Sequence, residues 1–241
     1  MNEKAERTEA KPPNDRKYQL LWQSYKYFSE IEKLTTTYQQ RVTFVEKGLS
    51  NQDDVLLDEY LQSFEVLKKK AVKEMADYGK MVPVWDWVIS IKGISTKLAA
   101  KLIAQIDDIS KAPTVSALWR YCGYAVIDGN RESGSSTHYN RVLKSTCYLI
   151  CTSFIKQQTP GYSDIYYAEK LRLRDLYPEK IIVDGKTKYN DGHIHAMAMR
   201  KTIKVFLQHL WVTWRELEGL PVSKPYSIDR LGHGDYIPPF H

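Results

Sequence analysis

A mainly α-helical fold is predicted by three observations on this 241-residue chain. Two long apolar stripes fill the first third, each stepping near 3.5 residues. Two short helical patterns meet at a tight turn within Trp85 to Ile106, WDWVISIKGISTKLAAKLIAQI. Helical spacing then returns repeatedly and ends in a long run through Trp214. The expected architecture is an antiparallel coiled-coil arm followed by a helical domain built on a helix-hairpin-helix. Its boundaries read as a disordered lead (1–14), the arm (15–82), the helical domain (83–220) and an extended tail (221–241).

The arm comes first. Leu21, Tyr25, Phe28, Ile31, Leu34, Tyr38, Val42 and Val45 form one stripe, with Asn14 or Asp15 as its cap. Gly48-Leu49-Ser50-Asn51 breaks it. A second stripe follows through Leu57, Tyr60, Phe64, Leu67, Ala71, Met75 and Tyr78, and Pro83 ends the arm. Such a seam serves self-association as well as closure within one chain, so a homodimer or higher oligomer through it is expected.

The stretch from Trp85 to Ile106 organises the rest. Val88, Ile89 and Ile91 make one apolar face, and Leu98, Ala99, Leu102, Ile103 and Ile106 the other. Gly93 suits a turn with positive φ or close backbone approach. Ser95 or Thr96 can cap the second helix. In a helix-hairpin-helix the amides at such a helix start meet a nucleic-acid phosphate, with Lys92 and Lys97 adding charge. Ser95 stands where a second glycine is usual, and an ordinary core hairpin has the same pattern.

Asp107 and Asp108 then read as solvated acids, because no third carboxylate sits at ligand spacing. A short helix capped by Thr114 or Ser116 runs to Gly123. Residues 125–138, rich in Gly, Ser, Asn and charge, read as a surface loop, where recognition tends to sit. The helix from Tyr139 carries Arg141 and Lys144 in its first turns, and Cys147 and Cys151 read as packing residues. Pro160-Gly161 ends it, Ser163 to Leu176 forms another, and 178–192 is a short β-hairpin or a loop. His193 and His195 open the last helix. Their side chains diverge by about 200°, so a structural or phosphate-contacting role fits better than a metal. The proline-bearing tail is expected to wrap over the domain.

Composition sets outer bounds. A net charge of +6 permits a polyanionic partner. There is no run of 18 apolar residues and no signal-like core near the start, so a cytoplasmic, non-membrane protein is expected. Three cysteines do not make a disulfide framework. Seventeen tyrosines and six tryptophans supply rings for packing edges and, in part, for stacking on bases.

The order of parts resembles a known family. An arm leads into V-I-S-I-K-G-I-S, then L-W-R-Y-C-G-Y-A, then R-E-S-G, then a basic helix, and a closing helix that begins H-I-H-A-M-A-M-R-K. This is similar to the C-terminal half of the bridge-RNA-guided insertion-sequence transposases, the IS one-ten group, over about Trp85 to Leu217. The resemblance implies DNA transposition or recombination, with DNA and a guide RNA as partners. It places the family's nucleophilic serine at Ser133, with Arg131, His138, Arg141 and Lys144 near it in sequence and Arg200 and Lys201 in the closing helix. Phosphoryl transfer by a serine needs a base and positive charge on the developing oxyanions. The family's RuvC-like metal-binding domain has no expected counterpart here, so no cofactor is expected in this chain, and Mg would come with a RuvC-like partner. Three readings follow: a transposase-derived binding and assembly protein, an active serine recombinase component completed by another subunit, or an interaction protein using its arm.

Overall fold

Asp15 caps α1 (Arg16–Glu46), its carboxylate accepting from the Lys17 amide at 3.0 Å. This computed structural model describes residues 15–51, 54–125, 139–183, 186–223 and 237–240. After the turn at Gly48, α2 (Asp54–Gly79) returns against α1. The Tyr38 ring lies 5.3 Å from Tyr60 and 5.1 Å from Phe64, residues about as far from the turn on the other side, so the pair is antiparallel.

The seam departs from the expected stripes. Leu34, Tyr60 and Leu67 are exposed, while Thr35 is buried and Leu61 and Lys68 are half-buried. Across α2 the inward set is Leu57, Leu61, Phe64, Lys68, Ala71, Met75 and Gly79. That set keeps step with the 3.6 residues per turn of a straight helix, so positions chosen at 3.5 slip off the seam by one residue. Thr35 tolerates burial because its hydroxyl donates to the Ile31 carbonyl.

The body follows the arm. Helix α3 (Trp85–Ser90) leads through the Gly93 turn into α4 (Thr96–Ile106), whose cap is the Ser95 hydroxyl accepting from the Leu98 amide. A 3-10 turn (Ile109–Lys111) precedes α5 (Val115–Tyr121), capped by Thr114. Then come α6 (Arg141–Gln157), capped by Asn140, and α7 (Tyr162–Leu176). Strands β1 (Ile181–Val183) and β2 (Lys186–Lys188) pair antiparallel with Ile182 opposite Thr187, so the described part of 178–192 forms paired strands rather than a plain loop. Helix α8 (Asp191–Leu217), capped by Asn190, closes the fold. The mainly α fold expected from sequence is what forms.

The core lies where α8 meets α5, α6 and α7. Phe206 packs edge-on against Phe154 and Tyr162, and those two stack at 4.6 Å. The Trp211 indole donates to the Ala112 carbonyl at 2.8 Å. At the root of the arm, the Tyr18 hydroxyl donates to Glu218 at 2.6 Å and accepts from the Trp214 indole at 3.3 Å. This ties α1 to the end of α8. Residues 237–240 lie on the body: the Ile237 carbonyl accepts from Gln208 and His209, and the Phe240 ring meets Tyr162.

One loop reading is corrected. Asp107 is not solvated but 8% exposed, with φ +70° and its carboxylate 2.6 Å from Lys111. Ile106 and Ile109, both buried, pull the turn between them inward. Among the described residues no helix is long and apolar enough to cross a membrane.

Candidate nucleic-acid interface

A cavity of about 390 Å³ opens between the end of α5, the first turns of α6 and the middle of α8. Its walls are Tyr124, Tyr139, Tyr148, Met199 and Ile203, and its charges are Arg141, Lys144 and Arg200. The sequence builds it through a stop and a cap. Gly123 ends α5 with φ +74°, and a Cβ there would come within 2.7 Å of the Tyr139 ring, so the close approach requires glycine. Asn140 restarts the helix: its Oδ1 accepts from the Leu143 amide while its Nδ2 donates to Gln105 and to the Tyr121 hydroxyl. The Asn140 amide also donates to the Tyr121 carbonyl at 2.9 Å. Tyr124 and Tyr139, described residues on either side of 126–138, both line this cavity.

Within the cavity Lys144 is held in place. Its Nζ lies 4.3 Å from the Tyr139 ring centroid and 3.1 Å from that tyrosine's hydroxyl, and its carbonyl accepts from the Tyr124 hydroxyl. Burial pushes the Tyr124 phenol above its ordinary range. Two buried thiols are raised as well. Burial raises Cys122, and Cys151 is pushed up to about 12, so neither is a thiolate nucleophile at neutral pH.

Of the residues singled out from sequence, the structure brings Arg141, Lys144 and Arg200 together here. Arg131, Ser133 and His138 lie outside the described residues. Lys201 faces a neighbouring cavity, its Nζ 2.8 Å from Glu169, which Arg172 also holds through two contacts. Those cations keep the Glu169 carboxyl below its usual range, chiefly through the Arg172 hydrogen bond. His193 and His195 contact other residues of the fold: His193 Nδ1 accepts from the Tyr189 amide, and His195 Nδ1 meets the Tyr166 hydroxyl at 2.7 Å. No group of three or more potential metal ligands occurs among the described residues.

The hairpin turn lies elsewhere. Gly93 has φ +94° and its carbonyl accepts from the Ser153 hydroxyl, while the Lys92 carbonyl accepts from Thr159. Ser95 and the Lys92 side chain are exposed, and Thr96 is half-buried. Lys97 is ion-paired with Glu32 of α1 and sits over the Phe28 ring, so part of its charge serves the arm–body contact. The turn thus docks at one end of α6 and the cavity opens at the other. At 1.5 Å per residue, about 18 Å of helix separates Arg141 from Ser153.

Sequence reasoning missed the tyrosine walls. Tyr139 and Tyr148 lie either side of Arg141 and Lys144, and an exposed aromatic beside a basic first turn was the available signal.

Residues 86–164 match the family model for the transposase IS116/IS110/IS902 family. This transposase match covers about a third of the chain and takes in the hairpin, the 126–138 segment and the first turns of α6. It supports a transposase-derived role in DNA transposition. Comparison with curated proteins and with solved structures finds no significant match.

Proposed function

We propose that the protein binds nucleic acid as a transposase-derived component of DNA transposition or recombination, and that the α5–α6–α8 cavity is where it holds its substrate. The observation that carries this is the convergence of Arg141, Lys144 and Arg200 on a cavity walled by Tyr124, Tyr139 and Tyr148. Cations of this kind neutralise phosphates, and the rings offer faces to bases. In the recombinase form of the reading, the Ser133 hydroxyl attacks a phosphorus and forms a serine-linked phosphodiester. The departing strand oxygen takes a proton, and the rim cations stabilise charge on the non-bridging oxygens. The base and metal for that step would come from a separate RuvC-like subunit, with Mg as its ion. A guide RNA fits the same basic surface.

The test is binding of the purified chain to duplex DNA, single-stranded DNA and structured RNA across a salt series. Affinity is expected to fall steeply with salt, and Lys144→Gln to lower the slope by about one unit. Ser133→Ala should leave binding intact and abolish strand transfer once the partner subunit is supplied. Absence of binding to all three at low salt would overturn the proposal.

A second reading, self-association through the arm, is favoured by exposed Phe44 and Leu49 near its tip and exposed Val66 midway along α2. Sedimentation at rising concentration tests it, and a monomer throughout would end it.

A further inference from the structure

Beside the tyrosine-walled cavity lies a second of similar volume, about 390 Å³, between α5, α7 and α8. Its charges are Arg172, Arg200, Lys201 and Lys204 against the single carboxylate Glu169. Its aromatic walls are Tyr177 and Trp119, the latter fixed by an indole hydrogen bond to the Lys204 carbonyl at 3.0 Å, with the Lys204 Nζ 4.1 Å from the ring centroid. Arg200 lines both cavities. On α8 it falls between the face carrying Met199 and Ile203 and the face carrying Lys201 and Lys204, as 100° per residue requires. The two cavities are therefore neighbours along one helix, with a shared cation on the ridge between them.

Their chemistry differs in a useful way. The first sets three cations among tyrosine and aliphatic walls, and the second sets four cations and one carboxylate beside Trp119, Tyr177 and Leu173. A duplex presents phosphates outward and keeps its base faces stacked inside, so it has nothing for Tyr148, Met199 and Ile203 to meet. A strand with unpaired bases has both parts, a ring face for one cavity and consecutive phosphates for the other. An extruded base placed in a pocket beside backbone contacts is the same arrangement.

We infer that the protein holds an unpaired nucleic-acid strand along α8, with a base in the tyrosine-walled cavity and adjoining phosphates on Arg200 and the Lys204 cavity. This rests on the nucleic-acid reading above and specifies the form of the ligand. The strand's source, DNA or RNA, is distinguished by the test.

The experiment uses the full chain and three probes of equal length at matched salt: single-stranded DNA, single-stranded RNA and blunt duplex DNA, read by fluorescence anisotropy. One or both single strands should bind about tenfold tighter than duplex. Tyr148 is half exposed on α6, so its truncation leaves the core in place. Tyr148→Ala should weaken single-strand binding by about tenfold while duplex binding is unchanged, and Tyr148→Phe, which keeps the ring, should restore it. Lys204→Gln should lower the salt slope for the single strand by about 0.7. Equal or tighter duplex binding, or equal weakening of both probes by Tyr148→Ala, overturns this inference and leaves the nucleic-acid reading standing. Failure of all three probes to bind at low salt overturns both.

Discussion

Phe44 and Leu49 near the tip of the arm and Val66 midway along it are exposed at 50%, 72% and 67%, whereas Phe154, Phe206, Trp211 and Trp214 in the body are exposed by 1% or less. Both regions are helical and both are rich in large apolar side chains. They differ in how many neighbours a helix has. In the outer arm each helix has one partner, so one face is buried and the others meet solvent. In the body α8 is covered by α5, α6 and α7 at once, and a side chain such as Phe206 is enclosed on all sides. Apolar residue type alone therefore says little about burial. Stability is expected to be local and low at the arm's tip and global in the body.

The strongest way to break that contrast is Phe206→Ala. It empties a site bounded by Trp87, Phe154 and Tyr162 and should cost about 3–5 kcal/mol in denaturant unfolding. A cost near zero would mean the body is packed no better than the arm.

A pH scan sharpens the contrast next. His209 is buried, with Nδ1 at the Tyr162 hydroxyl and Nε2 at the Ile237 carbonyl, and burial lowers its pKa to about 4. The unfolded chain, with histidine near 6.5, binds more protons between these values. The stabilising contribution is thus complete above about pH 6.5 and lost as pH falls toward 4, amounting to about 3 kcal/mol at most. Thermal unfolding of the body should drop across that window, and His209→Gln should flatten the drop.

The smallest effect belongs to the arm. Leu67 is exposed on α2, so Leu67→Ala should change global stability by about 0.5 kcal/mol or less. Hydrogen exchange should be faster in Tyr38–Phe64 than in Leu143–Phe154, and a loss of several kcal/mol from Leu67→Ala would show that the seam runs on the other face.

Much of this was legible in the sequence. Ser95, Thr114 and the Gly123 stop mark true boundaries because a cap or a left-handed turn is a local property. The inward face of the arm was legible only to within one residue, since 3.5 and 3.6 diverge over several turns and only the partner helix fixes the phase. Of the candidate contacts, Arg141, Lys144 and Arg200 converge, but Arg200 stands far from the others in sequence and only tertiary packing brings it in. Lys97 and Lys201 looked like free cations. Their acidic partners, Glu32 and Glu169, lie on other helices, which no local pattern reveals. Tyr148 carries no local signal of its exposure, because an aromatic at helical spacing also fits a core face.

The clasp of Tyr18, Trp214 and Glu218 also has a mechanical meaning. It fastens the first helix to the last near the arm's root, through two hydrogen bonds and the Lys17–Glu218 ion pair. Helix α8 then runs unbroken from that clasp to Arg200, about 21 Å away at 1.5 Å per residue. A force on the arm therefore reaches the ridge between the two cavities through rigid rods and one joint, without crossing a loop. The arm is a handle on the cavity wall.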